Sequence, residues 1–121
     1  MLVVEDNEIN AEIAVDLLED VALDVDTAAD GVEAVEKAAA RHYDIILMDM
    51  QMPRMDGLEA TRRIRQLPAL KDTPIVAMTA NAFADDRTSC IEAGMDDFLP
   101  KPVDPDLMFS MLLRWLRARK A

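Results

Sequence analysis

Short apolar runs spaced along the chain, with helical patterns between them, constrain this sequence more than any other feature. The plainest is Ile45-Ile46-Leu47-Met48. It has no polar alternation, so it reads as a strand buried on both faces, as in a parallel sheet. Leu2-Val3-Val4, Pro74 to Met78 and Asp97-Phe98-Leu99 are three more such runs. In Leu23, Val25 and Thr27 the apolar positions alternate with Asp24 and Asp26, which suits a strand near a sheet edge.

The intervening segments carry helix period. Ile9, Ile13, Leu17 and Val21, with Ala14 and Leu18 beside them, form one expected buried stripe. Asp30-Gly31 turns into a helix with Val32, Val35 and Ala39 on one side. A third helix is expected from about Leu58 to Gln66, with Arg62, Arg63 and Arg65 read as its solvated face. A fourth, Ala84 to Glu92, has a thin apolar face (Ala84, Thr88, Ile91) and a left-handed C-cap at Gly94. Asp104 or Asp106 can cap a fifth, whose buried side holds Leu107, Met108, Met111, Leu112, Trp115 and Leu116. Five strands alternating with five helices predict a parallel five-stranded sheet with right-handed crossovers; the doubly wound α/β arrangement expected for it has the order 2-1-3-4-5. With no internal repeat or linker, residues 1–121 read as a single domain.

Composition narrows the function classes. Thirteen Lys and Arg stand against 24 Asp and Glu, a net charge of -11. Direct nucleic-acid binding is disfavoured, because phosphate contacts need a basic footprint. A cation or a basic protein partner suits this balance better. No apolar run approaches the roughly 18 residues of a membrane span, and no leader pattern points to secretion. The single cysteine, Cys90, fits a reducing compartment, so a cytoplasmic location is expected.

Four polar features stand just past strand carboxyl ends, where open α/β sheets keep their chemistry. They are Glu5-Asp6, Asp49, Thr79 and Lys101. In the order 2-1-3-4-5 they belong to adjacent strands and converge on one crevice. Three carboxylates packed together repel, by about 4 kcal/mol per pair at ~4 Å and an effective dielectric of 20. A hard divalent cation such as Mg²⁺ relieves that repulsion and leaves Asp49 ionised, able to attack phosphorus. Lys101 offers a cation to phosphoryl oxygens and the Thr79 hydroxyl a hydrogen bond. Each residue alone has an ordinary reading as a loop acid, a cap or a surface lysine; the joint placement points to phosphoryl acceptance.

Val3-Val4-Glu5-Asp6-Asn7, Asp44 to Gly57, Ala77-Met78-Thr79-Ala80 and Phe98-Leu99-Pro100-Lys101-Pro102 together resemble the receiver domain of two-component response regulators. Thr79 lies 30 residues after Asp49 and Lys101 lies 52 after it, as in that family. The resemblance implies a flavodoxin-like (βα)5 fold and an aspartyl phosphate formed on Asp49 from a phosphohistidine. It implies Mg²⁺ (or Mn²⁺) held by Asp6, Asp49 and the Gln51 carbonyl, with Glu5 acting through water. Thr79, the Ala80 backbone N–H and Lys101 would hold the phosphate, and Thr79 with Phe98 would act as the switch, repacking the fourth helix, fifth strand and fifth helix. A cis Lys101-Pro102 bond is also expected. The expected partners are a histidine kinase or histidine phosphotransfer domain, with pairing of two copies through the fourth and fifth helices as a further family habit.

The wording Val4 to Asn10, Met48 to Arg65 and Met78 to Phe83 resembles receivers attached to hybrid histidine kinases. The chain starts inside its first strand, so a piece of such a kinase is expected, with a free single-domain regulator as the competitor. A haloacid-dehalogenase-type phosphatase would want a second Asp two residues after the nucleophile, where Gln51 stands. A flavodoxin-like cofactor binder would want a Ser/Thr/Gly-rich phosphate loop where Glu5-Asp6 stands. A phosphorylation-independent pseudo-receiver is the remaining rival, disfavoured by the intact Asp49, Thr79 and Lys101. The chain is therefore expected to be a signalling module rather than a stand-alone enzyme.

Overall fold

An apolar run without alternation is satisfied only if both faces of its strand are covered. The computed structural model, which describes residues 1–5, 8–19, 25–41, 43–49, 57–67, 73–79, 91–100 and 105–120, meets that condition. The strands are β1 (Leu2–Val4), β2 (Asp26–Ala28), β3 (Ile46–Asp49), β4 (Ile75–Thr79) and β5 (Asp97–Pro100). They form one sheet in the order β2-β1-β3-β4-β5, every pair parallel. The helices are α1 (Glu8–Glu19), α2 (Gly31–Ala40), α3 (Gly57–Arg65), α4 (residues 91–93) and α5 (Pro105–Lys120).

The two-residue period of a strand sorts the core into two layers. Leu2, Val4, Ile46, Met48, Ile75 and Ala77 face one side and pack with Ala34 and Ala38 of α2 and Ala60 and Ile64 of α3. Val3, Leu47, Val76, Met78 and Leu99 face the other and pack with Leu18 of α1 and Met108 and Leu112 of α5. Each large side chain so buried contributes about 1.5–3 kcal/mol relative to exposure. This is enough to set strand order and register: Val4 lies opposite Met48, Asp49 opposite Met78 and Thr79 opposite Pro100.

Helix orientation departs from the periodic reading in four places. In α1, Ile9 and Ile13 are 68% and 54% exposed, whereas Leu18 is fully buried. The stripe is real, but the helix is rolled so that Ala14 and Leu18 meet the sheet. In α2 the buried positions are Gly31, Ala34 and Ala38 rather than Val32, Val35 and Ala39, because small residues allow a close approach to the strands. In α5 Leu107 is exposed while Met108 and Leu112 are buried. Ile91, expected on the inner face of α4, is 62% exposed; the rest of that expected face lies outside the described residues. Leu23, Val21, His42, Cys90 and Asp104 also lie outside them, as does the Lys101-Pro102 bond.

The starts and ends of helices follow their chemistry. Asp30 caps α2, accepting the Glu33 N–H at 2.9 Å, and Glu33 in return accepts the Ala29 N–H at 3.2 Å. Gly94 ends α4 at φ 109°, as the C-cap reading expects. Among the described residues no helix is long and apolar enough to cross a membrane.

Candidate functional site

The carboxyl ends of β1, β3, β4 and β5 lie side by side because those strands are successive neighbours in the sheet. Glu5 follows Val4 directly, and its N–H donates to Ala28 O at 3.0 Å, so the β1–β2 ladder runs on past the strand. Asp49 is the last residue of β3. Since Val4 and Met48 are register partners, Glu5 and Asp49 stand opposite one another, about 5 Å apart at the backbone for neighbouring strands. Glu5 is 6% exposed and Asp49 4%. Two carboxylates brought this near the interior are an uncommon feature, since acids are seldom fully buried.

Thr79 ends β4 next to Met78, the partner of Asp49, and pairs across to Pro100. The residue after Pro100 is Lys101, so the described backbone brings β5 to within one residue of its expected contribution. Asp6, Gln51, Ala80 and Lys101 lie outside the described residues, as does the Thr79 hydroxyl. Of the expected site, the structure describes Glu5, Asp49, the Thr79 backbone and Phe98, and it brings the first three to one edge of the sheet. Phe98 lies opposite Ala77 in β5, half-buried against the core layer under α2 and α3.

The donor chemistry of Glu5 and Asp49 is oxygen-only and anionic, which fits a hard cation such as Mg²⁺ and suits neither Zn²⁺ nor Cu⁺. No cluster of three or more His, Cys, Asp or Glu side chains placed to hold a metal occurs among the described residues. Asp30, also buried at this end, is committed to its helix cap.

Helix α1 presents two surfaces. Ile9 and Ile13 lie exposed on α1, which leaves β1 at the site. The same helix carries Glu8, Glu12, Asp16 and Glu19 and not one Lys or Arg. Alongside it, an open groove of about 580 Å³ is lined by Ala11, Glu12, Val15, Asp16, Val25 and Thr27.

The opposite end of the sheet holds residues that the periodic reading passed over. Arg65, read as solvated, has a side chain only 17% exposed. Its guanidinium donates to Gly94 O (2.9 Å), Thr73 O (2.6 Å) and Asp96 Oδ2 (2.5 Å). Arg62 and Arg63 are exposed as expected, pairing with Glu59 at 3.6 and 3.1 Å. At the other edge Asp26 accepts from Arg41 at 2.6 Å and from the Tyr43 hydroxyl at 2.8 Å. Burial first, then the bond to Asp26, pushes the Tyr43 phenol up to about 12. One signal for Arg65 was available: it stands at the very end of a helix, where a cation complements the last carbonyls.

Comparison with known proteins gives one consistent answer. A family model described as the response regulator receiver domain matches residues 1–113. The signal transduction histidine-protein kinase BarA of Escherichia coli K12 is 41% identical over 115 residues, 95% of this chain but 12% of that protein. The chain thus spans about an eighth of that relative. The receiver domain of sensor histidine kinase PA1611 from Pseudomonas aeruginosa PAO1 superposes with a TM-score of 0.89 at 42% identity, covering 95% of this chain and 94% of that one. That crystal structure has a magnesium ion coordinated in the active site cleft. A receiver domain of Saccharomyces cerevisiae Ssk1, crystallised with the histidine phosphotransfer protein Ypd1, superposes with a TM-score of 0.91 at 29% identity, covering 98% and 88%.

Proposed function

The chain belongs to the response regulator receiver domain family, and from that membership we propose a phosphorelay module in which Asp49 is the phosphoryl acceptor. The observation that carries this is the buried Asp49 at the end of β3, opposite Glu5 and beside the end of β4. In the step proposed, an Asp49 carboxylate oxygen attacks the phosphorus of a phosphohistidine. A P–O bond forms, the P–N bond breaks, and the freed imidazole nitrogen keeps the electron pair and takes up a proton. No oxidant or further reactant is involved.

Each expected residue has a defined task in that step. The carboxylates of Asp6 and Asp49 and the Gln51 carbonyl would hold Mg²⁺ (or Mn²⁺), with Glu5 acting through water; the metal would offset the acids' mutual repulsion and that of the incoming phosphoryl group. Lys101 balances charge on the transferred oxygens, while Thr79 and the Ala80 N–H hydrogen-bond them. Phosphorylation adds about -1.5 to -2 charges to an already acidic crevice, so both cations are needed for it to persist. Thr79 then follows the phosphate, and Phe98 repacks against β4 and α4. A Phe here lacks the hydroxyl that a Tyr would use, so packing alone carries the change.

The donor is a histidine kinase or histidine phosphotransfer domain, and the exposed Ile9 and Ile13 on α1, framed by acids, offer it an apolar patch with a basic-seeking rim. BarA is a kinase of which this sequence matches a small part, so we read the chain as the receiver segment of a hybrid sensor kinase, 1–121 folding as a single unit on the cytoplasmic side. Pairing of two copies through α4 and α5 is a separate proposal for the output face, checked by the oligomeric state with and without beryllofluoride.

The test is the intact mass after acetyl phosphate and Mg²⁺. Wild type should gain one phosphoryl mass, labile to hydroxylamine and dependent on Mg²⁺. Asp49→Asn and Asp49→Ala should gain none. If wild type gains none and also fails to bind beryllofluoride, the acceptor function is wrong and a pseudo-receiver stands instead.

A further inference from the structure

Asp97, the first residue of β5, uses both carboxylate oxygens. Oδ1 accepts the backbone N–H of Phe98 at 2.8 Å. Oδ2 accepts the Trp115 indole Nε1–H at 2.9 Å and an Arg114 Nη2–H at 3.2 Å. The Arg114 guanidinium also lies 5.6 Å from the centre of the Trp115 ring. Asp97 therefore joins the peptide of Phe98, in β5, to the later part of α5.

The two joined parts lie on opposite sides of the sheet. Phe98 packs with the layer under α2 and α3, and Trp115 with the layer under α1 and α5. Met108 and Leu112 hold α5 to the sheet by apolar contact, which is non-directional and tolerates sliding. The carboxylate is different. It is planar, and hydrogen bonds to an ionised acceptor are short and strong, about twice a neutral pair. A rotation of the 97–98 peptide moves Oδ1 and Oδ2 together, so either the Phe98 bond or the Trp115 bond lengthens or the indole follows. Arg114 adds little, because its side chain is 72% exposed while that of Asp97 is 22%.

We propose that Asp97 is the positioning residue that carries a shift of Phe98 across the sheet to α5, with the Trp115 indole as its receiving end. This rests on the receiver function above, in which Phe98 repacks on phosphorylation, and it adds a route by which that repacking reaches α5.

Trp115 is the chain's single tryptophan, so the emission reports on the surroundings of this one indole. Asp97→Asn is the chosen variant, since it keeps the volume but leaves a single carbonyl acceptor. It can hold the Phe98 N–H or the indole, not both. Wild type with Mg²⁺ and beryllofluoride should change its tryptophan emission. Asp97→Asn should take up acetyl-phosphate phosphoryl mass on Asp49 as wild type does, yet lose the emission change. Trp115→Phe provides a second readout, by amide NMR: beryllofluoride should still shift residues around Asp49 but no longer those of α5. An Asp97→Asn response equal to wild type, or α5 shifts that survive in Trp115→Phe, overturns the link. Phosphoryl uptake by wild type without any emission change overturns it too, while leaving the acceptor function standing. Absence of both uptake and beryllofluoride binding in wild type overturns the acceptor function and this link with it.

Discussion

At the amino ends of the strands, side chains of opposite charge meet each other and the backbone; at the carboxyl ends, carboxylates gather. Arg65 reaches from α3 to Thr73, Gly94 and Asp96, and Asp96 Oδ2 also accepts the Ile75 N–H at 2.9 Å. Asp26 ties Arg41 and Tyr43 to the β2 edge. Glu5 and Asp49 at the other end are buried acids of one sign. The difference is one of purpose. Charges at the base pair within the chain, and the pairing adds most where a partner is largely buried, as Arg65 is at 17% exposure. In the function proposed above, the acids at the crown would take a cation and a phosphoryl group from outside. Substitutions at the two ends should therefore separate folding from function.

The largest stability effect is expected at Arg65. Arg65→Ala removes the bonds to Gly94, Thr73 and Asp96 and should cost about 3 kcal/mol in urea unfolding. The remaining folded protein should still take up the phosphoryl group on Asp49. Arg65→Lys should recover only part of the loss, because an ammonium cannot span three acceptors as a planar fork does. Equal stability of Arg65→Ala and wild type would dissolve the contrast between base and crown.

Gly94→Ala comes next. At φ 109° a side chain is strained, and an added Cβ would sit 2.9 Å from Arg65 Cγ and 3.3 Å from its Nε. A loss of about 2 kcal/mol is expected, and less in an Arg65→Ala background, where the crowding is gone. Additive losses in that double mutant would place the cost in the backbone alone.

The smallest effect, about 1 kcal/mol, is expected for Tyr43→Phe, which deletes the hydrogen bond to Asp26. Its pH dependence has a definite sign. The folded-state pKa is raised from 10.0 to about 12, so above pH 10 the unfolded chain gives up the phenolic proton first. The stability Tyr43 contributes is whole below pH 10 and is lost as pH rises through about 12. Wild type should therefore lose more stability than Tyr43→Phe between pH 10 and 12. Parallel curves would mean that neither burial nor the Asp26 bond raises the Tyr43 pKa in solution.

Much of the fold was legible because strands buried on both faces leave continuous apolar runs. Leu2 to Val4, Ile46 to Met48 and Ile75 to Met78 lie in the sheet as read, its parallel sense follows from alternation with helices, and its order β2-β1-β3-β4-β5 is the one expected of a flavodoxin-like fold. The placement of Glu5, Asp49 and Thr79 was legible for the same reason, since each is simply the next residue after such a run. Helix roll was not legible. A stripe at helical spacing names a face without saying whether its large or its small residues touch the sheet. In α1 the deep position went to Leu18 beside Ala14, leaving Ile9 and Ile13 outside; in α2 it went to Ala34 and Ala38.

By itself, then, the sequence determined what depends on chain order and period: strand identity, the parallel sense of the sheet, and which polar residues end up at the carboxyl edge. Tertiary structure alone decided what depends on distance across the chain. Arg65 meets Gly94 and Asp96 from 29 and 31 residues away, Asp97 meets Trp115 from 18 away, and Tyr43 meets Asp26 from 17 away. No local pattern encodes such meetings, because a hydrogen bond forms only where packing has already brought donor and acceptor to about 3 Å.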